Sequence, residues 1–192
     1  ENLGTAIVQG SQDVYLRKYD AAGQLVWSRL LGSSGEASGF AVATDNDGNV
    51  AIAGRITDRL VASATGGSGD SYVAKFDSSG KEVFARQVAP VTDDAANALA
   101  FAADGSLVVV GQTSSSMASA VTHGGGTDAY AMKLSASGNL EWVRQFGGMA
   151  TDRATGVAVT SDGYAVMSSV EGGHAMVRKI GLGDGISDPA WT

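Results

Sequence analysis

Four lysines hold one column of this sequence, Lys18, Lys75, Lys133 and Lys179, and nine residues after each of the first three stands an aromatic followed at i+2 by arginine. These pairs are Trp27/Arg29, Phe84/Arg86 and Trp142/Arg144. An acid follows the outer segment at Glu36, Asp93 and Asp152. Such charges could form a ring that binds ions or a ligand, or each lysine could pair with a neighbouring unit's acid or loop carbonyl. The second reading is the stronger, because a repeated buried charge must be paired and says little about activity. The aromatic and the arginine, two apart on a strand, share a face, so the guanidinium can stack on the ring as structural glue.

Asp45-Asn46-Asp47-Gly48-Asn49 has the oxygen-rich spacing of part of a calcium loop, with Asp45 and Asp47 as candidate metal ligands. The full pattern needs a further ligand and a later bidentate glutamate. The copies at Asp104-Gly105 and Asp162-Gly163 lack the first acid, so a plain hairpin turn is the better reading and calcium the lesser one. The two histidines, His123 and His174, fall in no short zinc motif. No Gly-x-Ser-x-Gly elbow leads from a strand into a helix, and neither Gly66-Gly67-Ser68-Gly69 nor Gly124-Gly125-Gly126 opens a helix that could cradle phosphate. Asp93-Asp94 is read as an exposed, solvated turn. No catalytic residue and no cofactor follow from this inventory, and the expectation is a protein that is not an enzyme.

The elements that position these residues repeat. Asp13, Asp70 and Asp128 open the same phrase at spacings of 57 and 58 residues: Asp-Val-Tyr-Leu-Arg-Lys, Asp-Ser-Tyr-Val-Ala-Lys and Asp-Ala-Tyr-Ala-Met-Lys. A period of that length marks an array of one supersecondary unit. Each period reads as four short strands: a small-residue run such as Gly39–Thr44, an Asp-Gly turn, a second apolar run, a Ser/Thr/Gly-rich excursion at 55–69 or 112–127, and a second hairpin. Asp-Gly between β-prone runs is a strong hairpin signal, and no window of helical length sustains a 3.6-residue period.

Four antiparallel strands per repeat with a small first strand predict an all-β fold, a β-propeller of four-stranded blades. The wording Gly-Gly-x-Gly-Asp-Ser-Tyr-Val-Ala-Lys-Phe-Asp-x-x-Gly at 66–80, with Ala-Leu-Ala-Phe-Ala-Ala-Asp-Gly-Ser-Leu-Val-Val-Val-Gly at 98–111, resembles the bacterial beta-propeller (SBBP) repeat. It is more distantly similar to NHL-type blades. The resemblance covers practically the whole chain and implies the fold while leaving the ligand open.

The expected domain is 1–192, with repeats at about 1–58, 59–115 and 116–172 and a partial one at 173–192. This amounts to some three and a half blades, fewer than the about four to eight of a closed ring. The chain opens on Glu1 without methionine and stops at Trp191-Thr192, one residue short of the recurring arginine. It is therefore read as a slice of a longer propeller, in preference to a compact four-bladed ring or a ring completed by two copies.

Twenty acidic against 13 basic residues give a formal net charge of −7, which argues against a nucleic-acid partner. The absence of cysteine excludes disulfides and thiolate metal sites. No apolar run approaches the roughly 18–20 residues of a membrane helix, so no membrane insertion is expected. Repeats of similar wording occur in surface adhesins and in large flagellar hook- or filament-associated proteins. The resemblance thus implies a secreted or cell-surface bacterial module that contacts protein partners or self-assembles, with the excursions 55–69 and 112–127 as contact surface. The alternative is a propeller that binds glycans or hydrolyses polysaccharide.

Overall fold

A computed structural model describes residues 10–32, 34–60, 69–88, 93–117 and 125–188. Among them the protein is all-β, with no helix, in four antiparallel sheets of two to four strands. The first sheet pairs β1 (Val14–Tyr19) with β2 (Leu25–Leu31). The second runs in order through β3 (Ala37–Thr44), β4 (Val50–Ile56), β5 (Asp70–Phe76) and β6 (Glu82–Val88). The third repeats this with β7 (Ala95–Phe101), β8 (Leu107–Thr113), β9 (Asp128–Leu134) and β10 (Leu140–Phe146). The fourth holds β11 (Arg153–Val159), β12 (Tyr164–Glu171) and β13 (His174–Gly181), and an isolated Ile180–Ser187 bridge follows it. Trp191 lies outside the described residues. Among the described residues no helix is long and apolar enough to cross a membrane.

The hairpins turn where the glycines sit, but not as a two-residue Asp-Gly loop. Gly48 N–H donates to the Asp45 carbonyl and Asp45 N–H to the Asn49 carbonyl. Gly48 takes the left-handed conformation, φ +77°, so a type I turn is followed by a one-residue bulge. Asp45 explains the choice: its Oδ1 accepts from the N–H of Asp47 at 3.0 Å and of Asn49 at 2.9 Å, and its Oδ2 from Asn49 Nδ2 at 2.7 Å. Asp20 and Asp77 cap the outer turns in the same way, which holds the turn in this form.

A second irregularity sets what each outer strand presents. The register slips at Val26, Val83 and Glu141, the same place in three outer hairpins. These bulges put Trp27 directly across from Lys18, Phe84 from Lys75 and Trp142 from Lys133. Directly opposed residues share a face of the sheet, and the arginines two residues on share it too. Lysine, aromatic and arginine therefore all project from the face that meets the next sheet.

The core lies between sheets. Val14, Leu16 and Trp27 of the first sheet pack with Ile52, Tyr72 and Phe76 of the second. Ala51, Ala53 and Val73 of the second pack with Leu99, Val109, Tyr130 and Met132 of the third. Val108, Val110, Ala129 and Ala131 of the third pack with Ala165, Met167 and Ile180 of the fourth. At the second and third of these junctions an alanine- and valine-rich face receives a bulkier one, which lets the sheets approach closely while filling the gap. The first strands of successive sheets, β3, β7 and β11, lie beside one another, which is the crowding their small residues anticipate.

Candidate functional site

The lysine column makes the first set of contacts across these junctions. Lys18 Nζ donates to the Gly48 carbonyl at 2.8 Å and the Ser78 carbonyl at 3.4 Å, one in each hairpin turn of the second sheet. Lys75 Nζ, in a residue only 4% exposed, reaches Gly105 at 2.9 Å and Ala136 at 3.3 Å in the same two turns of the third sheet. One ammonium thus ties both turns of the following sheet, and its charge is met by carbonyl oxygens.

Lys133 breaks the pattern. The carbonyl it would use, Gly163 O, already accepts the Leu182 N–H at 3.0 Å. Lys133 turns instead to Glu141 at 2.8 Å and Asp104 at 3.8 Å in its own sheet. Lys179 likewise pairs within its sheet, with Asp162 at 3.4 Å and Asp188 at 3.9 Å, and stands 3.9 Å above the Tyr164 ring.

The aromatic and arginine columns complete the clasp. Trp27 Nε1 donates to the Ser78 carbonyl at 3.1 Å and Trp142 Nε1 to the Leu182 carbonyl at 3.0 Å. Each ring lies under the turn glycine of the next sheet: a Cβ at Gly80 would sit 2.8 Å from the Trp27 ring, at Gly138 2.5 Å from Phe84, and at Gly185 2.7 Å from Trp142. Arg29 Nε donates to the Gly80 carbonyl at 2.5 Å, Arg86 to Asn139 Oδ1 at 3.2 Å, and Arg144 to the Asp184 carbonyl. Arg29 does stand 5.8 Å over the Trp27 ring, but its hydrogen bonds hold the neighbouring turn.

At the opposite end of the sheets lie buried carboxylates that sequence reading grouped wrongly. The N–H groups of Ala37, Asp94 and Asp152 donate to Gln12, Gly69 and Thr127, the residues just before Asp13, Asp70 and Asp128. The true column is therefore Ala37/Asp94/Asp152 and not Glu36/Asp93/Asp152. Asp93-Asp94 is not a solvated pair either. The Asp93 side chain is 71% exposed and bound to Arg55 at 2.5 Å, whereas Asp94 is fully buried. Asp94 Oδ1 accepts from Ser114 N–H at 3.2 Å, and Asp152 Oδ1 from the equivalent Gly172 N–H at 2.6 Å. Burial pushes the Asp94 carboxyl up to about 6; the Thr113 hydroxyl and the Ser114 N–H oppose this, and nearby Asp70 and Asp93 add to it. Asp70, also buried, is raised chiefly by desolvation, against its bond from Gln87 and the charge of Arg55.

Two glutamines escaped the sequence reading. Gln87 Nε2 donates to Asp70 Oδ2 at 2.5 Å and to the Asp58 carbonyl, while its Oε1 accepts from Leu60 N–H. Gln145 repeats this with Asp128 Oδ2 at 2.8 Å, the Ser115 carbonyl and Met117 N–H. Each pins the start of one long excursion to the following strand. The signal was present as Arg86-Gln87 and Arg144-Gln145, but the first repeat has Leu30 there.

The calcium candidates line a groove of about 630 Å³ between the second and third sheets, with Lys75, Phe101 and Asp104. Asp45 uses both oxygens inside its own turn. Among the described residues no group of three or more His, Cys, Asp or Glu is placed to hold a metal ion. His174 is exposed and occupies the aspartate column of the phrase that begins at Asp13; His123 lies outside the described residues, as do 61–68 and 118–124 of the two excursions.

Fold and clasps together define an all-β protein of stacked antiparallel sheets, each bound to the next through its hairpin turns. No protein-family model matches the chain, so its likeness to the SBBP repeat rests on the residue pattern. The chain is similar to the "Regulatory protein FlaEY" of Caulobacter vibrioides, at 33% identity over 185 residues. That match takes in 89% of this chain and spans 19% of the relative's length.

Proposed function

We propose that this chain is a non-catalytic structural and interaction module, built of β-propeller blades, of a secreted or cell-surface bacterial protein and associated with the flagellum. The observation that carries the reading is the use of the repeated polar side chains. Lys18, Lys75, Trp27 and Trp142, the residues most suggestive of a ligand ring, donate to backbone carbonyls of the adjoining sheet. Four antiparallel sheets packed one on the next, with small first strands side by side, support the propeller reading. The flagellar designation in the relative's name supports the association, and the acidic, cysteine-free composition suits an appendage-bound module.

Co-sedimentation of the purified chain with isolated flagellar filaments and hook–basal bodies tests this. Saturable binding to either supports the reading, and recovery of all the protein in the supernatant at micromolar concentration contradicts the flagellar association.

A glycan-binding reading has one observation behind it, the groove where Asp45, Asp47 and Asp104 stand near Phe101. Polar groups beside an aromatic ring are the usual furniture of such clefts. A glycan-array signal abolished by Asp104→Ala would favour it, and a blank array would leave the protein-binding reading alone.

A further inference from the structure

Two pairs of buried aspartates share one backbone frame but have different donors. The Asp94 N–H donates to the Gly69 carbonyl at 2.8 Å across the junction of the second and third sheets, and the Asp152 N–H to the Thr127 carbonyl at 2.6 Å across the junction of the third and fourth. This sets Asp94 beside Asp70 and Asp152 beside Asp128. In the later pair the two carboxylates meet: a Cβ at Gly147 would sit 2.6 Å from Asp128 Oδ1 and 2.5 Å from Asp152 Oδ2. Asp70 Oδ1 and Asp94 Oδ2 are the same two atoms one repeat earlier.

Asp152 is met on both oxygens by backbone amides. Its Oδ1 accepts from the Gly172 N–H at 2.6 Å and its Oδ2 from the Gly148 N–H at 2.8 Å. Asp94 keeps the first of these, from the Ser114 N–H at 3.2 Å, and lacks the second. Gly148 stands four residues before Asp152, and four residues before Asp94 stands Pro90, whose nitrogen carries no hydrogen. Asp94 Oδ2 and Asp70 Oδ1 are both buried with no hydrogen-bond partner among the described residues, in side chains of residues no more than 1% exposed.

The charged and titratable groups around the pair are engaged elsewhere. Arg55 of β4 is bound to the exposed carboxylate of Asp93 at 2.5 Å. Tyr130 of β9 gives its hydroxyl hydrogen to Ser71 at 3.0 Å, and Gln87 of β6 donates to the other oxygen of Asp70. Two adjoining buried carboxylates do not both ionise without a large penalty, and each orphaned acceptor costs about 1–3 kcal/mol. One proton relieves both: a neutral carboxyl on one aspartate donates to the bare oxygen of the other.

We propose that Asp70 and Asp94, lacking the amide that Pro90 withholds, share one proton and form a pH-sensitive latch, closed in acid and loosened towards neutral pH, in the junction of the second and third sheets. Both carboxyls are raised, Asp94 to about 6, which agrees in direction. With the folded value above the unfolded one, the stabilisation is present in acid and lost as pH rises through the folded value. The latch goes beyond the proposed function and is independent of any flagellar or glycan partner.

Carbon-13 NMR titration of the aspartate carboxyls in the whole chain tests the pair. Asp94 should have its midpoint near pH 6. Asp70→Asn, which removes the neighbouring charge, and Pro90→Gly, which supplies an amide hydrogen, should each lower that midpoint by at least about one unit. Native-state hydrogen exchange tests the latch. After correction for intrinsic rates, the Asp94 amide of the wild type should open about tenfold more readily at pH 7 than at pH 5, while the Asp152 amide shows no such rise. Circular dichroism melting checks the fold of each variant, and the comparison of the two amides needs no variant at all. An Asp94 midpoint at the ordinary aspartate value, a midpoint that either folded variant leaves in place, or equal pH responses at the two amides would each overturn the proposal.

Discussion

Asp94 is a fully buried carboxylate whose environment couples stability to pH. Its carboxyl is raised to about 6 in the folded protein, above the roughly 3.9 of an unfolded aspartate, so the native state holds the proton more tightly. The stabilisation is complete below the unfolded value and is lost as pH rises towards 6, by about 3 kcal/mol in all. Other carboxylates, such as those of Asp77 and Asp104, are lowered by hydrogen bonds to the serines beside them and act in the opposite sense. The difference between wild type and Asp94→Asn therefore isolates the effect. Chemical denaturation should show Asp94→Asn gaining on the wild type between pH 4 and about 6, and a constant difference would contradict the assignment. Two tyrosines make a second comparison. Tyr130 Oη donates to Ser71 Oγ at 3.0 Å, but the column of Ser71 holds Val14 in the first sheet, and Tyr72 Oη is buried with no hydrogen-bond partner among the described residues. Tyr130→Phe should cost about 1 kcal/mol, whereas Tyr72→Phe should be neutral or stabilising because it removes an unsatisfied hydroxyl. Equal losses in thermal unfolding would count against this account.

Among the elements, the hairpin turns do the joining, and the outer-turn Gly138 and the inner-turn Gly163 differ by what lies beneath them. Gly138 has φ +87° and would drive a Cβ to 2.5 Å from the Phe84 ring, while Gly163 at φ +89° faces open space. Gly163→Ala should cost only the left-handed backbone penalty, about 1–2 kcal/mol. Gly138→Ala should cost at least about 1 kcal/mol more, because the ring must move out of the junction; equal costs would show that the clasp bears no load. The sheets and hairpins themselves were legible from the period, from the Gly-ended turns and from the small-residue first strands. The turn type was not, because Asp-Gly suits a two-residue loop until the Asp45 carboxylate is seen capping the longer one. Of the junction partners, the reading that each lysine meets a neighbouring unit's acid or loop carbonyl holds for Lys18 and Lys75. Nothing in the sequence of Lys133 itself tells that it turns to Glu141 and Asp104 of its own sheet instead. The acidic column was misread because alignment by nearest acid chose Glu36 and Asp93, whereas the backbone register picks Ala37 and Asp94.

At the scale of the whole molecule, no sheet carries a core of its own. Each buries its apolar faces only against its neighbours, so stability is a sum of junctions in series, as in other repeat proteins. A local loss should then be felt by the sheet it touches before it reaches the far end of the array. The claim that the aromatic and lysine columns bind sheet to sheet, in preference to a ligand, is tested most directly by native-state hydrogen exchange on Phe84→Ala. Phe84 belongs to the second sheet, but the turn it supports, Ser135–Gly138, belongs to the third. Faster exchange at the Ser135 and Gly138 amides and in β10, with β1 and β2 unchanged, is the expected result. Exchange altered only within β5 and β6, with the third sheet protected as before, would contradict it.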